Sequence, residues 1–93
     1  MPEVRFAQAL QSHVPCPPQQ VEAAPDARLR AVLDAAFRAA PSLRGYVLDE
    51  QGDLRPHIAL FADGRSLPGS PALDAPLPPG CRRIDVIQAL SGG

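Results

Sequence analysis

Residues 25–41 read PDARLRAVLDAAFRAAP, and the spacing of their apolar side chains decides the fold class. Leu29, Val32, Leu33, Ala36, Phe37 and Ala40 recur at steps of three and four, so a helix gathers them into one stripe. Pro25 and Asp26 supply a helix start. Pro41 supplies the stop, since it has no amide to donate and disfavours helical geometry at Ala40. On the opposite face Arg30, Asp34 and Arg38 stand four residues apart, a spacing that stabilises a helix only slightly per pair. The pattern predicts one helix of about 14 residues, the whole helical content of the chain. One helix with one apolar stripe needs a sheet to lie against.

The flanking segments read as strands. Over residues 4–10, Val4, Phe6 and Leu10 alternate with Arg5, Ala7 and Ala9, which suits a strand with one buried face, although Gln8 falls on the apolar side. The next stretch, SHVPCPPQQ at 12–20, is a loop, because its three prolines lack donors for a ladder. A short strand is expected at 20–23. Beyond the helix, residues 46–48 read as a short strand, DEQGD at 49–53 as a turn centred on Gly52, and residues 57–62 as a central strand. Asp63-Gly64 is a hairpin turn, since a type I′ turn needs positive φ. Residues 67–79 are too rich in Pro, Gly and Ser to be regular. The last strand, 83–89, puts Ile84 and Val86 on one face and Ile87 and Ala89 on the other. The resulting order β, β, α, β, β implies an α+β roll, a mixed sheet of four or five strands with one main helix across one face.

Composition removes several function classes. At 93 residues, with a 45% apolar fraction and a net charge of −1, the chain is one soluble domain with one modest core, and no basic stripe points to nucleic acid. The longest apolar run, residues 58–62, is far too short to span a bilayer, and the first ten residues do not read as a secretion signal, so no membrane association and a cytoplasmic location are expected. Cys16 and Cys81 fall in no Cys-x-x-Cys pair and no Cys/His cluster with zinc spacing, so no metal site is expected. His13 and His57 stand apart, and neither a phosphate-binding glycine loop nor a nucleophile elbow is present. Nothing reads as an enzyme's own active site. All nine basic residues are arginine. A GC-rich coding bias accounts for that, and the same absence of lysine suits a protein whose C-terminus becomes an activated acyl group, because lysine is the readier nucleophile.

The opening strand VRFAQAL, the helical stretch LRAVLDAAFRAAPSLRGYVLDEQGDLR, the hairpin HIALFADGRSL and a final strand running into Gly92-Gly93 together make the chain resemble the ubiquitin-like sulfur carriers of the MoaD/ThiS family. The resemblance spans nearly the whole length. It implies the β-grasp fold over residues 1–90 and a flexible tail at 91–93. It further implies that an E1-like adenylating enzyme spends ATP to form an acyl-adenylate on Gly93, which sulfur converts to a thiocarboxylate for a sulfur-accepting or synthase enzyme. The protein would bind no cofactor and act as a cosubstrate, with Ser91 and Gly92 in the tail and Gly92 and Gly93 threading a narrow channel. The same terminus would serve a ubiquitin-like modifier, and a β-grasp binding module with an unactivated tail is the third alternative.

Two departures from the family pattern bear on the pathway, which could serve molybdopterin, thiamine, cysteine or a related metabolite. The ending is Ala89-Leu90-Ser91-Gly92-Gly93 where relatives often show Pro-x-x-Gly-Gly or Val-Ala-Gly-Gly, and Gly80-Cys81-Arg82-Arg83 replaces an acidic Gly-Asp turn. Both weaken assignment to molybdopterin synthase in particular. In β-grasp topology, Cys16 and Cys81 would lie at opposite ends of the sheet, too far apart for a disulfide. The helix covers one face only, so Arg5, Ala7, Asp85, Ile87 and Ala89 on the other are expected to meet the adenylating enzyme and any acceptor.

Overall fold

The computed structural model describes residues 1–24, 26–67 and 73–88. Five strands, β1 (Glu3–Phe6), β2 (Gln19–Gln20), β3 (Ile58–Ala62), β4 (Arg65–Ser66) and β5 (Arg83–Gln88), form one mixed sheet in the order β2-β1-β5-β3-β4. The first and last strands pair in parallel, Val4 beside Ile84 and Phe6 beside Val86, whereas β5 and β3 run antiparallel with Leu60 beside Val86. Strand alternation then turns Val4, Phe6, Ile84, Val86, Leu60 and Ala62 to one side, where all six are buried.

That side is covered by helix α2 (Leu29–Phe37), whose buried residues are Leu29, Val32, Leu33, Ala36 and Phe37. The Phe37 ring stacks on Phe6 with centroids 5.7 Å apart, joining helix to sheet. The amides that open α2 would be unpaired, and the segment at 73–77 satisfies them. Leu29 N donates to Ala75 O at 3.0 Å and Arg30 N to Leu73 O at 2.8 Å, while Leu77 N returns a bond to Ala27 O at 2.8 Å. Buried Leu73 and Leu77 hold that irregular stretch on the core.

Arg30 does not pair with Asp34 as the helical spacing suggests. Its guanidinium reaches out of the helix, donating to Gly52 O at 2.6 Å and to Asp74 Oδ1 at 3.1 Å, because two loops offer acceptors that a neighbouring turn of helix cannot match. The 49–53 turn under it has the expected geometry, with Gly52 at φ 84°. Within that turn the amide of Asp53 donates to the Asp49 carboxylate at 3.0 Å and that of Gln51 at 2.8 Å. These bonds, the one from Asp53 foremost, hold the Asp49 carboxyl below the usual carboxylate range. The hairpin turn is also as expected, with Asp63 at φ 50° and Gly64 at φ 83°.

Four expectations fail. The short strand expected at 20–23 is β2 at Gln19–Gln20, and residues 21–24 carry no strand. The first strand stops at Phe6, and the chain enters a one-turn helix, α1 (Gln8–Gln11). The turn carries Leu10 into the core and lets Gln8 face solvent, which resolves the misfit of Gln8 in a strand. Residues 46–48 are not a strand. Pro41 takes the first position of a 3-10 turn (Pro41–Leu43) that continues into α3 (Arg44–Val47), so this proline restarts a helix instead of only ending one. Leu43, Val47 and Leu48 are buried by it. Finally, α2 is nine residues long, because Arg28 is extended and bridges to Pro76.

The Phe6–Phe37 stack makes a direct test of the core. Phe37→Ala is expected to destabilise the fold by about 3–5 kcal/mol, from lost burial and a residual cavity, read as a lower urea midpoint with an unchanged slope.

Candidate functional site

The helices leave the second face of the sheet uncovered, and the register brings the predicted residues onto it. Arg5 lies beside Asp85, Asp85 beside Phe61 and Phe61 beside Ser66, a cross-strand row over four strands. One row further on, Ile87 lies beside Ala59. Ala7 N donates to Val86 O at 2.9 Å, so Ala7 extends the parallel register to the flank of Ile87. Arg5 is exposed, and Ala7, Asp85, Ile87, Ala59 and Phe61 are partly so. None of them packs into the core cluster.

Four of the five predicted face residues therefore share one surface, and the fifth, Ala89, lies outside the described residues. So do Ser91, Gly92 and Gly93, and with them the expected tail at 91–93. Phe61 was missed by sequence reasoning, yet the alternation Ile58, Leu60, Ala62 carried the signal: with those three buried, Ala59 and Phe61 must point the other way. Phe61 and Ile87 make the apolar centre of the face.

The charges around that centre are paired along their own strand. Arg5 bonds Glu3, which also accepts from Gln20 Nε2 at 3.1 Å, and Arg83 Nε meets Asp85 Oδ2 at 2.9 Å. With Arg5 and Arg83 side chains about half exposed, such pairs contribute little stability. They leave a rim of alternating sign around an apolar middle.

Among the described residues no group of three or more His, Cys, Asp and Glu side chains is placed to share a metal ion. His13 lies flat on Tyr46, ring centroids 4.5 Å apart, at the surface. Two hollows open to solvent, one polar and lined by Asp49, Glu50, Gln51 and Arg55, the other of mixed lining between Ala62, Asp63, Arg65, Leu67, Pro78 and Pro79. Cys16 and Cys81 are both free and buried, and burial pushes both thiols above their usual range. The register puts them at opposite ends of the sheet, Cys16 past the Phe6 end of β1 and Cys81 before the Glu3 end. Among the described residues no helix is long and apolar enough to cross a membrane.

A mixed sheet of this order with one principal helix across it is the β-grasp fold, and the chain is a ubiquitin-like β-grasp protein. Its solved structural neighbours are small archaeal modifier proteins. The crystal structure of SAMP1 from Haloferax volcanii matches with a TM-score of 0.77 and 25% identity over 98% of this chain and 97% of that one. A second crystal structure, of H. volcanii small archaeal modifier protein 1, gives 0.74 and 23% over 95% of each chain. A Haloferax volcanii protein known from its solution structure gives 0.68 and 21%, over 98% of this chain and 84% of that one. These neighbours are ubiquitin-like β-grasp proteins related to MoaD/ThiS, so the resemblance read from the sequence stands. No family model matches the chain, and no curated protein matches it.

The two faces of β5 predict opposite outcomes for one substitution. Ile84→Asp would leave a carboxylate in a fully buried position and is expected to cost more than about 4 kcal/mol or to prevent folding. Ile87→Asp, on the open face, is expected to cost about 1 kcal/mol or less. Circular dichroism with urea titration compares them, and equal losses would contradict the assignment of faces.

Proposed function

We propose that the protein is a sulfur carrier whose Gly93 carboxylate is activated by an E1-like adenylating enzyme and converted to a thiocarboxylate. The observation that supports the reading is a β-grasp domain whose central strand β5 leads into Gly92-Gly93. A carboxylate is a poor electrophile. ATP supplies the remedy: the carboxylate oxygen attacks the α-phosphorus, pyrophosphate leaves, and a sulfur nucleophile then displaces AMP from the acyl carbon. The carrier's own contribution is access, because two consecutive residues without Cβ let the carbonyl be approached from either face. The domain holds no cofactor of its own, ATP being the adenylating enzyme's substrate, and serves as a cosubstrate for that enzyme and for a sulfur-accepting or synthase enzyme. The cytoplasm, which supplies ATP and keeps thiols such as Cys16 and Cys81 reduced, is the compartment this requires.

The open face is the docking surface in this scheme. Arg5, Ala7, Asp85 and Ile87, with Phe61 and Ala59 added from β3 and Ala89 following β5, would hold the domain while the tail reaches a distant active site. A second reading, transfer of the activated Gly93 to an amine of another protein, is favoured by the name of the Haloferax neighbours, small archaeal modifier protein. Both readings share the adenylation step.

Deleting Gly93, or extending the chain beyond it, is expected to abolish ATP–pyrophosphate exchange by the adenylating enzyme while the urea midpoint stays put. Ile87→Asp is expected to weaken binding to that enzyme by about 1–3 kcal/mol with exchange restored at high concentration. Exchange persisting in the extended protein would overturn the carboxylate mechanism.

A further inference from the structure

The sequence and the burial of its thiols bear together on what an activated Gly93 can react with. We infer that no side chain of the folded protein holds its own activated terminus as a stable product, either within one chain or on a second copy. This rests on the activation of Gly93 proposed above.

Capture requires a nucleophile that is both deprotonated and exposed. The chain has no lysine, and its nine basic residues are arginines, whose guanidinium keeps its proton and attacks no acyl carbon. The thiolate is the reactive form of cysteine. Cys16 is 2% exposed, and its Sγ lies 3.6 Å from Pro17 O as a donor. Cys81 is 9% exposed and donates to Arg83 O at 3.4 Å. Burial favours the neutral thiol at both, and the Asp63 carboxylate adds to the effect at Cys81. Serine and tyrosine hydroxyls need a general base to react; among the described residues Ser12 and Ser66 also donate theirs to backbone carbonyls, while Ser42 and Tyr46 are exposed and are read directly by the labelling below. An acyl group taken by an exposed imidazole such as that of His13 is passed on to water, so it leaves no stable product.

The main-chain α-amine is then the one amine the chain presents. When an external amine attacks the acyl-adenylate, a C–N bond forms, the bond to AMP breaks and the amine's proton passes to solvent. When sulfide or a persulfide attacks, a C–S bond forms with the same leaving group. Without lysine neither outcome is diverted to side-chain amines of the carrier, and a conjugate made by this protein is never branched through one.

The test has two arms. In the first, the folded protein is treated at neutral pH with the acetyl ester of N-hydroxysuccinimide and, separately, with iodoacetamide, and the products are mapped by mass spectrometry. Acetylation is expected at the α-amine alone, and alkylation of Cys16 and Cys81 only after unfolding in urea. Arg38→Lys, at an exposed position beyond the end of α2, is expected to take one further acetyl group in the folded state. Stable acetylation of a hydroxyl, or alkylation of either thiol in the folded protein, would overturn the inference, as would an Arg38→Lys chain that takes no further group. In the second arm the chain is incubated with ATP and the adenylating enzyme while pyrophosphate exchange is followed. Wild type is expected to give no copies joined through a side chain, and Arg38→Lys to give joined copies. Failure of pyrophosphate exchange would sink the proposed activation, while the inertness of the folded chain would still stand or fall by the labelling in the first arm.

Discussion

Parallel pairing of β1 with β5 is the constraint from which the other features follow. A hairpin cannot join parallel strands, so between Phe6 and Arg83 the chain must make a crossover before β5 can lie beside β1. Everything between those residues is arranged around that requirement. Helix α2 lies in the crossover and covers the face that the Val4, Phe6, Ile84 and Val86 side chains define, and β3 then flanks β5 on its free side. Because β5 is hydrogen-bonded on both sides, its backbone is fixed along its length, and whatever follows Gln88 starts from a rigid point at the centre of the sheet.

Apolar burial and polar clamping have different weights in holding this arrangement. Among the described residues, twenty-two apolar side chains form one buried cluster with no buried polar or charged residue, so this core does not depend on desolvated charge. The polar contacts sit at the periphery and fix the loops. Arg30 ties the start of α2 to the 49–53 turn and to Asp74, and the Asp63 carboxylate accepts the amides of Arg82 and Arg83 at 3.1 and 3.0 Å, pinning the hairpin to the start of β5. Exposed pairs of this kind add little to stability one by one, but they select one path for loops that lack regular structure.

Much of this was legible in the sequence because period and turn chemistry are local. The α2 stripe, the Asp63-Gly64 turn, the position of Gly52 and the two faces of β5 all follow from spacings within a few residues. The misreadings share a cause: segments too short to show a period. Tyr46-Val47-Leu48 is a three-residue apolar run that fits a strand or a helical turn equally well; Tyr46 and Val47 finish a helical turn, and only Leu48 is extended, bridging to Leu54. Residues 8–11 failed for the same reason, and Arg30 found its partners in loops distant in sequence. Phe61 went unassigned although the local alternation Ile58, Leu60, Ala62 gives its face; what the register with β5 adds is its place beside Asp85.

The open face and the strand that leads to Gly92-Gly93 join the two halves of the functional account, docking by a surface and chemistry at a tail. A carrier works this way because the reacting group has to enter another protein's active site, which a folded core could not do. The most direct measurement is the intact mass of the protein isolated from the cell in which it is made. The account predicts a population heavier by the exchange of one C-terminal oxygen for sulfur, lost on treatment that hydrolyses thiocarboxylates. A uniformly unmodified carboxylate under conditions that demand sulfur transfer, with no conjugates of higher mass, would contradict it.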